Sequence, residues 1–182
     1  MAVPADKTVA NISGVYNMNR TLSGDTDTIL SLQNIGWLKR KALSVAPVTI
    51  TITHYPETGV INVDSNALNV IKSSEDMHID GKPYEQNHPL WGPLKLTTQK
   101  IKLSELDDEK LKEGWVDEEL LQVVATHEAQ KWIATQIWGF QEVEVNGKSE
   151  KRHFRRVRLD KDGKKGVTYT HMVYDFSPSP SA

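Results

Sequence analysis

The amino-acid sequence predicts an all-β protein: a single antiparallel barrel of ten strands with a short helix-turn-helix lid after the first strand. Three observations carry that prediction. Apolar and polar residues alternate with the period of a half-buried strand over most of the chain. Turn dipeptides such as Asp80-Gly81, Asn146-Gly147 and Asp162-Gly163 punctuate the alternating stretches. One stretch, from Asp25 to Leu43, changes to helical spacing. Antiparallel strands in such number close on themselves or sandwich, because either arrangement removes exposed sheet edges.

Gly14 to Arg20 alternates small or apolar with polar residues and reads as the first strand, ending at Thr21-Leu22-Ser23-Gly24. Ile29, Leu30, Leu32, Ile35, Trp37, Leu38 and Leu43 then recur at helical intervals, with Asn34-Ile35-Gly36 as a break between two short helices. Asp25 or Thr26 is the expected cap of the first, since a side-chain oxygen there satisfies free amides. Pro47 opens Val48 to His54, whose β-branched residues alternate between apolar and hydroxylated. Glu57-Thr58-Gly59 turns the chain into Val60 to Val63, and weaker strands follow near 67–72 and 75–80. Asp80-Gly81 signals a type I′ turn. Leu94 to Leu103 alternates again, and the acidic 104–117 stretch reads as a loop or short helix. Long strands over 119–128 and 131–145 lead through Asn146-Gly147 to Glu150–Leu159, and Asp162-Gly163 leads into the last, Gly166 to Phe176. One domain over 1–176 is expected, with 177–182 a disordered tail that has no apolar surface to bury.

The 182 residues are 38% hydrophobic and 25% charged, the make-up of a globular protein, and no apolar run nears membrane-spanning length, so no integral membrane association is expected. The absence of cysteine excludes disulfides, thiolate metal sites and cysteine nucleophiles. The first residues lack a basic region followed by an apolar core, so a cytoplasmic location is expected. A net charge of −2 gives no whole-chain reason to bind nucleic acid. The charge is nevertheless segregated: residues 105–119 carry a local net of −6 and residues 151–165 a net of +6. Solvated faces that meet one another in the fold explain both runs; a protein-interaction module built on the acidic run is the alternative. The basic run has only Phe154 and His153 interleaved and matches no nucleic-acid motif.

Against this pattern, Gly14-x-Tyr16, then Ile35-Gly36-Trp37-x-x-Arg40-Lys41, then Pro47-x-Thr49-Ile50-x-Ile52, and finally Met172-Val173-Tyr174 resemble the intracellular fatty-acid- and retinoid-binding proteins of the calycin superfamily. The match covers roughly the first and last fifty residues; the chain is some fifty longer, with the excess mainly between 75 and 130. It also resembles a group of fungal proteins of similar length, which adds nothing on activity. The resemblance implies a calycin-like barrel holding a hydrophobic small molecule. Members that bind a fatty-acid carboxylate use buried arginines, one of them two places before the terminal tyrosine. Met172 stands there in this chain, which favours a neutral ligand, while Arg155 remains the alternative anion anchor.

Strand alternation turns Thr170, Met172 and Tyr174 to one face, and Trp132, Gln136 and Trp138 to another. These six, with Arg155, are the expected ligand-binding residues; Trp37 and Leu38 are placed at the portal, and Trp91 and Trp115 in loops over the barrel mouth. A cofactor-free isomerase or cyclase acting on a terpenoid or polyketide is the rival reading. Such chemistry needs only a shaped cavity and one or two donors or bases, with Tyr174, His88 and Lys131 as candidates. No phosphate loop, dinucleotide motif or nucleophile elbow occurs. The six histidines show no ligand spacing, and His127-Glu128 lacks the second histidine of a zinc helix, so neither metal nor cofactor is expected.

Overall fold

The computed structural model describes residues 1–67, 70–163 and 166–177. Ten strands, β1 (Gly14–Met18), β2 (Val48–Tyr55), β3 (Val60–Ala67), β4 (Ile71–His78), β5 (Tyr84–His88), β6 (Gly92–Lys102), β7 (Glu119–His127), β8 (Trp132–Val145), β9 (Lys148–Lys161) and β10 (Thr168–Ser177), form one antiparallel sheet. Their order is β4-β3-β2-β1-β10-β9-β8-β7-β6-β5. The sheet curls until its end strands β4 and β5 face one another. No backbone pairing joins those two strands; side chains do, through Glu75 Oε1 to His88 Nε2 at 3.0 Å and through the rings of His78 and Tyr84. The barrel is therefore nearly closed, with one seam.

The strand count matches the sequence reading, but its membership differs. The weak strands expected at 67–72 and 75–80 are one strand, β4, and β5 lies where none was read. The inner faces of both carry polar residues: Ser73 and Glu75 on β4, Gln86 and His88 on β5. An inner face that is itself polar erases the apolar alternation by which strands are found. The expected type I′ turn at Asp80-Gly81 is not formed, since only Gly81 has positive φ. Its N–H donates to Thr98 O, while Asp80 Oδ1 accepts from the Lys82 N–H. Asn146 (φ 52) and Gly147 (φ 75) do make that turn, joining Val145 to its partner Lys148. Ser177 pairs with Val15, one residue beyond the expected end of the last strand; the rest of the expected tail, 178–182, lies outside the described residues.

The ends of the barrel are closed differently. At one end the N-terminal segment forms a plug, burying Val3, Val9 and Ile12 against Tyr16, Ile50, Ile52 and Phe140. The Tyr16 hydroxyl donates to Ile12 O at 2.6 Å. At the other end stand α1 (Asp27–Leu32) and α2 (Trp37–Val45). Asp25 holds the start of α1, accepting from the Asp27 N–H and the Thr28 hydroxyl, whereas Thr26 makes no side-chain cap bond. Ile29 of α1 packs against Leu94, Leu96, Trp132 and Leu159, while α2 buries no residue.

The acidic stretch lies on the outside of the barrel wall. A short 3-10 turn (Leu103–Glu105) and α3 (Glu109–Lys112) place Leu106 and Leu111 over Ile101, Leu120 and Ile137, outward-facing residues of β6, β7 and β8. Trp115 completes this second small core on the outer face, not over the barrel mouth. The two charge runs meet there: Arg158 pairs with Asp108 at 3.1 Å and Arg156 with Glu113 at 3.3 Å. Asp108 also accepts from the Tyr169 hydroxyl at 2.7 Å.

Candidate functional site

Between the plug and the helices the barrel encloses a cavity of about 260 Å³. Its wall is chiefly apolar, as alternation requires when the inner faces of β2, β3, β6 and β7 supply Ile50, Val63, Leu96 and Val123. Most polar groups come from β4, β5, β8, β9 and β10, with Ser65 on β3 and Arg20, Thr26 and Gln33 at the helical end.

Arg155 on β9 is the dominant one. It is only 7% exposed, and its guanidinium lies flat over the Trp138 indole, 3.5 Å from the ring centroid, with the Tyr174 ring 5.3 Å away. Nε donates to His153 Nε2 at 3.3 Å, and the far side of that ring is 3.1 Å from Gly139 O. Because Nε2 accepts, Nδ1 carries the proton and donates to the carbonyl. Burial, reinforced by the Arg155 charge, holds the His153 imidazole well below its ordinary range, so the ring is neutral. Burial also pulls Arg155 downward, opposed by Tyr174, Glu75 and Tyr16; a guanidinium stays protonated nonetheless. Nη2 is buried and donates to no group among the described residues. A buried charged donor without an acceptor is costly.

Tyr174, Met172 and Thr170 line the cavity from β10, and Trp132, Gln136 and Trp138 from β8. The structure thus brings together six residues the sequence grouped, plus Arg155. Among the described residues the Tyr174 hydroxyl meets only the Met172 sulfur, at 3.5 Å, and burial raises its pKa, countered by Arg155; it is a neutral phenol. Gln136 Oε1 accepts from the Trp138 indole at 3.0 Å, and its Nε2 makes no hydrogen bond among the described residues. Thr170 is engaged elsewhere, donating to Asp25 O at 2.6 Å.

Other placements depart from the sequence reading. Trp37 and Leu38 are 63% and 75% exposed on α2 and do not line the cavity; Ile29, Leu30 and Leu43 are the helical residues that do. Trp91 lines it as well, and its indole donates to Gln33 Oε1 at the end of α1. Lys131, a candidate base, is exposed in the turn before β8 with φ 53, away from the cavity. His88 does line the cavity, paired with Glu75, a residue the sequence reading did not single out. Ile71, Ser73, Glu75 and Met77, alternate residues of β4, all face the cavity. No group of three or more potential metal ligands occurs among the described residues.

The fold and site define a β-barrel of calycin-like fold with a chiefly apolar cavity and the buried guanidinium of Arg155 in its wall. Its fold matches those of a REP1-NXSQ fatty acid transporter (TM-score 0.59, 12% identity, 93% of this chain and 98% of that one) and the fatty-acid-binding protein 1 of Echinococcus granulosus (TM-score 0.56, 11% identity, 91% and 96%). Apo lipid binding protein 8 of Caenorhabditis elegans is similar in the same way (TM-score 0.58, 10% identity, 95% and 100%). In sequence the chain is similar along its whole length to the pericyclase pydY of an Acremonium species, 26% identical over 185 residues and 97% of each chain. It is likewise similar to a probable pericyclase, scpY, of Mollisia scopiformis, 24% identical over 184 residues, 96% of this chain and 94% of that one. No family model matches.

Proposed function

We propose that the barrel takes up an apolar small molecule, of lipid, terpenoid or polyketide type, and fixes its one hydrogen-bond-accepting oxygen on Arg155. The unpartnered Nη2 of Arg155, a residue in the wall of a chiefly apolar cavity, carries this reading. Removing apolar surface from water, at about 25 cal/mol per Å², drives uptake, and the charged donor sets orientation. With Met172 in place of a second arginine, one guanidinium serves either a neutral carbonyl or a carboxylate. The barrel, taken as one domain over 1–176, works in the cytoplasm.

Chemistry on the bound molecule is the second reading, favoured by full-length similarity to two pericyclases. A pericyclic ring closure needs a folded substrate and polarisation where charge develops, and a rigid apolar cavity with a buried cation supplies both without a cofactor. The protein-interaction reading of the acidic stretch has less support, because Asp108 and Glu113 are engaged by arginines of the same chain.

The test compares β-tetralone with its hydrocarbon, tetralin. Arg155→Met keeps the apolar volume and removes the donor, a change buried charges often tolerate without loss of stability. The preference for ketone over hydrocarbon should fall roughly tenfold in the variant, the scale of one hydrogen bond to a charged group. An unchanged preference would place the ligand's oxygen elsewhere.

A further inference from the structure

The cavity holds a second polar centre, at the seam of the barrel. Glu75 on β4 and His88 on β5 face each other across the gap between unpaired strands, their side chains 12% and 8% exposed. The Leu90 N–H donates to His88 Nδ1 at 3.0 Å. That bond leaves the ring's proton on Nε2, which donates to Glu75 Oε1. The Ser73 hydroxyl donates to the same oxygen at 3.2 Å. Oε1 is thereby occupied, while Oε2 accepts from no group among the described residues. The arrangement is a carboxylate fixed by two donors on one oxygen, with the other oxygen open in a largely apolar chamber that also contains Arg155.

Resting on the second reading above, we infer that Glu75 is a proton acceptor and donor acting on a carbonyl compound held at Arg155, with His88 as its positioning residue. Glu75 Oε2 takes the proton of a C–H adjacent to the carbonyl. The C–H electron pair becomes a carbon–carbon double bond, and the carbonyl π pair moves onto oxygen, where Arg155 Nη2 donates to it. Return of the proton to the same carbon, or to the far carbon of a conjugated substrate, restores the carboxylate. No oxidant, reductant or cofactor enters the balance. In a substrate already carrying a neighbouring double bond, this step creates the diene that a pericyclic ring closure consumes. The ligand class is therefore an enolisable, conjugated ketone or amide.

The test follows exchange of the α-protons of β-tetralone in deuterium oxide by proton NMR, with binding measured separately by titration. The wild-type protein should accelerate exchange over buffer. Glu75→Gln should lose a hundredfold or more of that acceleration, the usual contribution of a positioned base, with the Kd for β-tetralone within about threefold. Glu75→Asp, which keeps a carboxylate, should recover part of the rate. His88→Asn should slow exchange by about tenfold at unchanged Kd, and it carries the test should Glu75→Gln fail to fold. Binding without accelerated exchange, or exchange undiminished in these variants, overturns the assignment of Glu75 and leaves the cavity reading standing. Failure of wild type to bind β-tetralone at all overturns the cavity reading itself, and this inference with it.

Discussion

At the scale of single residues, the site is organised by a chain of dependence from Gly139 O through His153 to Arg155, with Trp138 beneath the guanidinium. His153 is fully buried among Tyr16, Trp138, Phe140 and Tyr174, where a charged imidazole would face both desolvation and the neighbouring cation. Its proton affinity in the folded chain is thus far below that in the unfolded one. As pH falls below about 6.5, the unfolded chain binds a proton that the folded chain refuses, and stability falls with it. Above that value the ring is neutral in both states and the contribution is constant. By about pH 5 the loss should reach about 2 kcal/mol, read as a lowered urea midpoint. His153→Phe should flatten this slope even though it costs stability at neutral pH; an equally steep slope in the variant would assign the acid sensitivity to other groups. Arg155 was visible in the sequence because its strand alternates with His153, Val157 and Leu159, and the inward face was the only question left open. Glu75 was not visible, because nothing in Ile71-Lys72-Ser73-Ser74-Glu75-Asp76 distinguishes an inner carboxylate from an outer one.

The same contrast governs the elements. β2 was legible because Ile50 and Ile52 face the core while Thr49 and Thr51 alternate with them. β8 was legible because Trp132 and Trp138 lie six residues apart, and six steps along a strand return to one face. β4 and β5 were split or missed because they present Ser73, Glu75, Gln86 and His88 inward, so the strands that carry the seam lack the hydrophobic signature of the others. The acidic stretch was read by charge alone, and its apolar residues proved to matter as much. Leu106 and Leu111 cover the outside of β6 to β8, and Trp115 lies against Gly139. A methyl group at Gly139 would sit 2.7 Å from Leu120 Cδ2 and 3.0 Å from the Trp115 ring. Gly139→Ala should therefore cost about 1–3 kcal/mol by overpacking, measured by denaturant unfolding. A neutral effect would mean that Trp115 does not rest on the barrel wall. Because Gly139 O also accepts from His153, the variant tests whether the outer layer supports the site from behind.

For the molecule as a whole, the architecture assigns separate tasks to separate regions. The N-terminal plug fills one end with Val3, Val9 and Ile12, which removes that half of the interior from use. The remaining space lies beneath α1 and α2, with most of its polar groups on the wall formed by β8, β9 and β10 and at the seam between β4 and β5. An interior divided in this way implies occupancy by a molecule smaller than the barrel could hold if unplugged. The five tryptophans offer internal reporters of that occupancy. Trp91, Trp132 and Trp138 line the cavity, whereas Trp115 lies on the outer face and Trp37 is exposed on α2. The most direct measurement is the nitrogen–proton spectrum of the five indoles during titration with β-tetralone. The indole signals of Trp91, Trp132 and Trp138 should move together and saturate, while that of Trp115 stays fixed. Saturable movement of Trp115 or Trp37 with Trp138 unmoved, or no movement of any indole, would contradict an internal binding site.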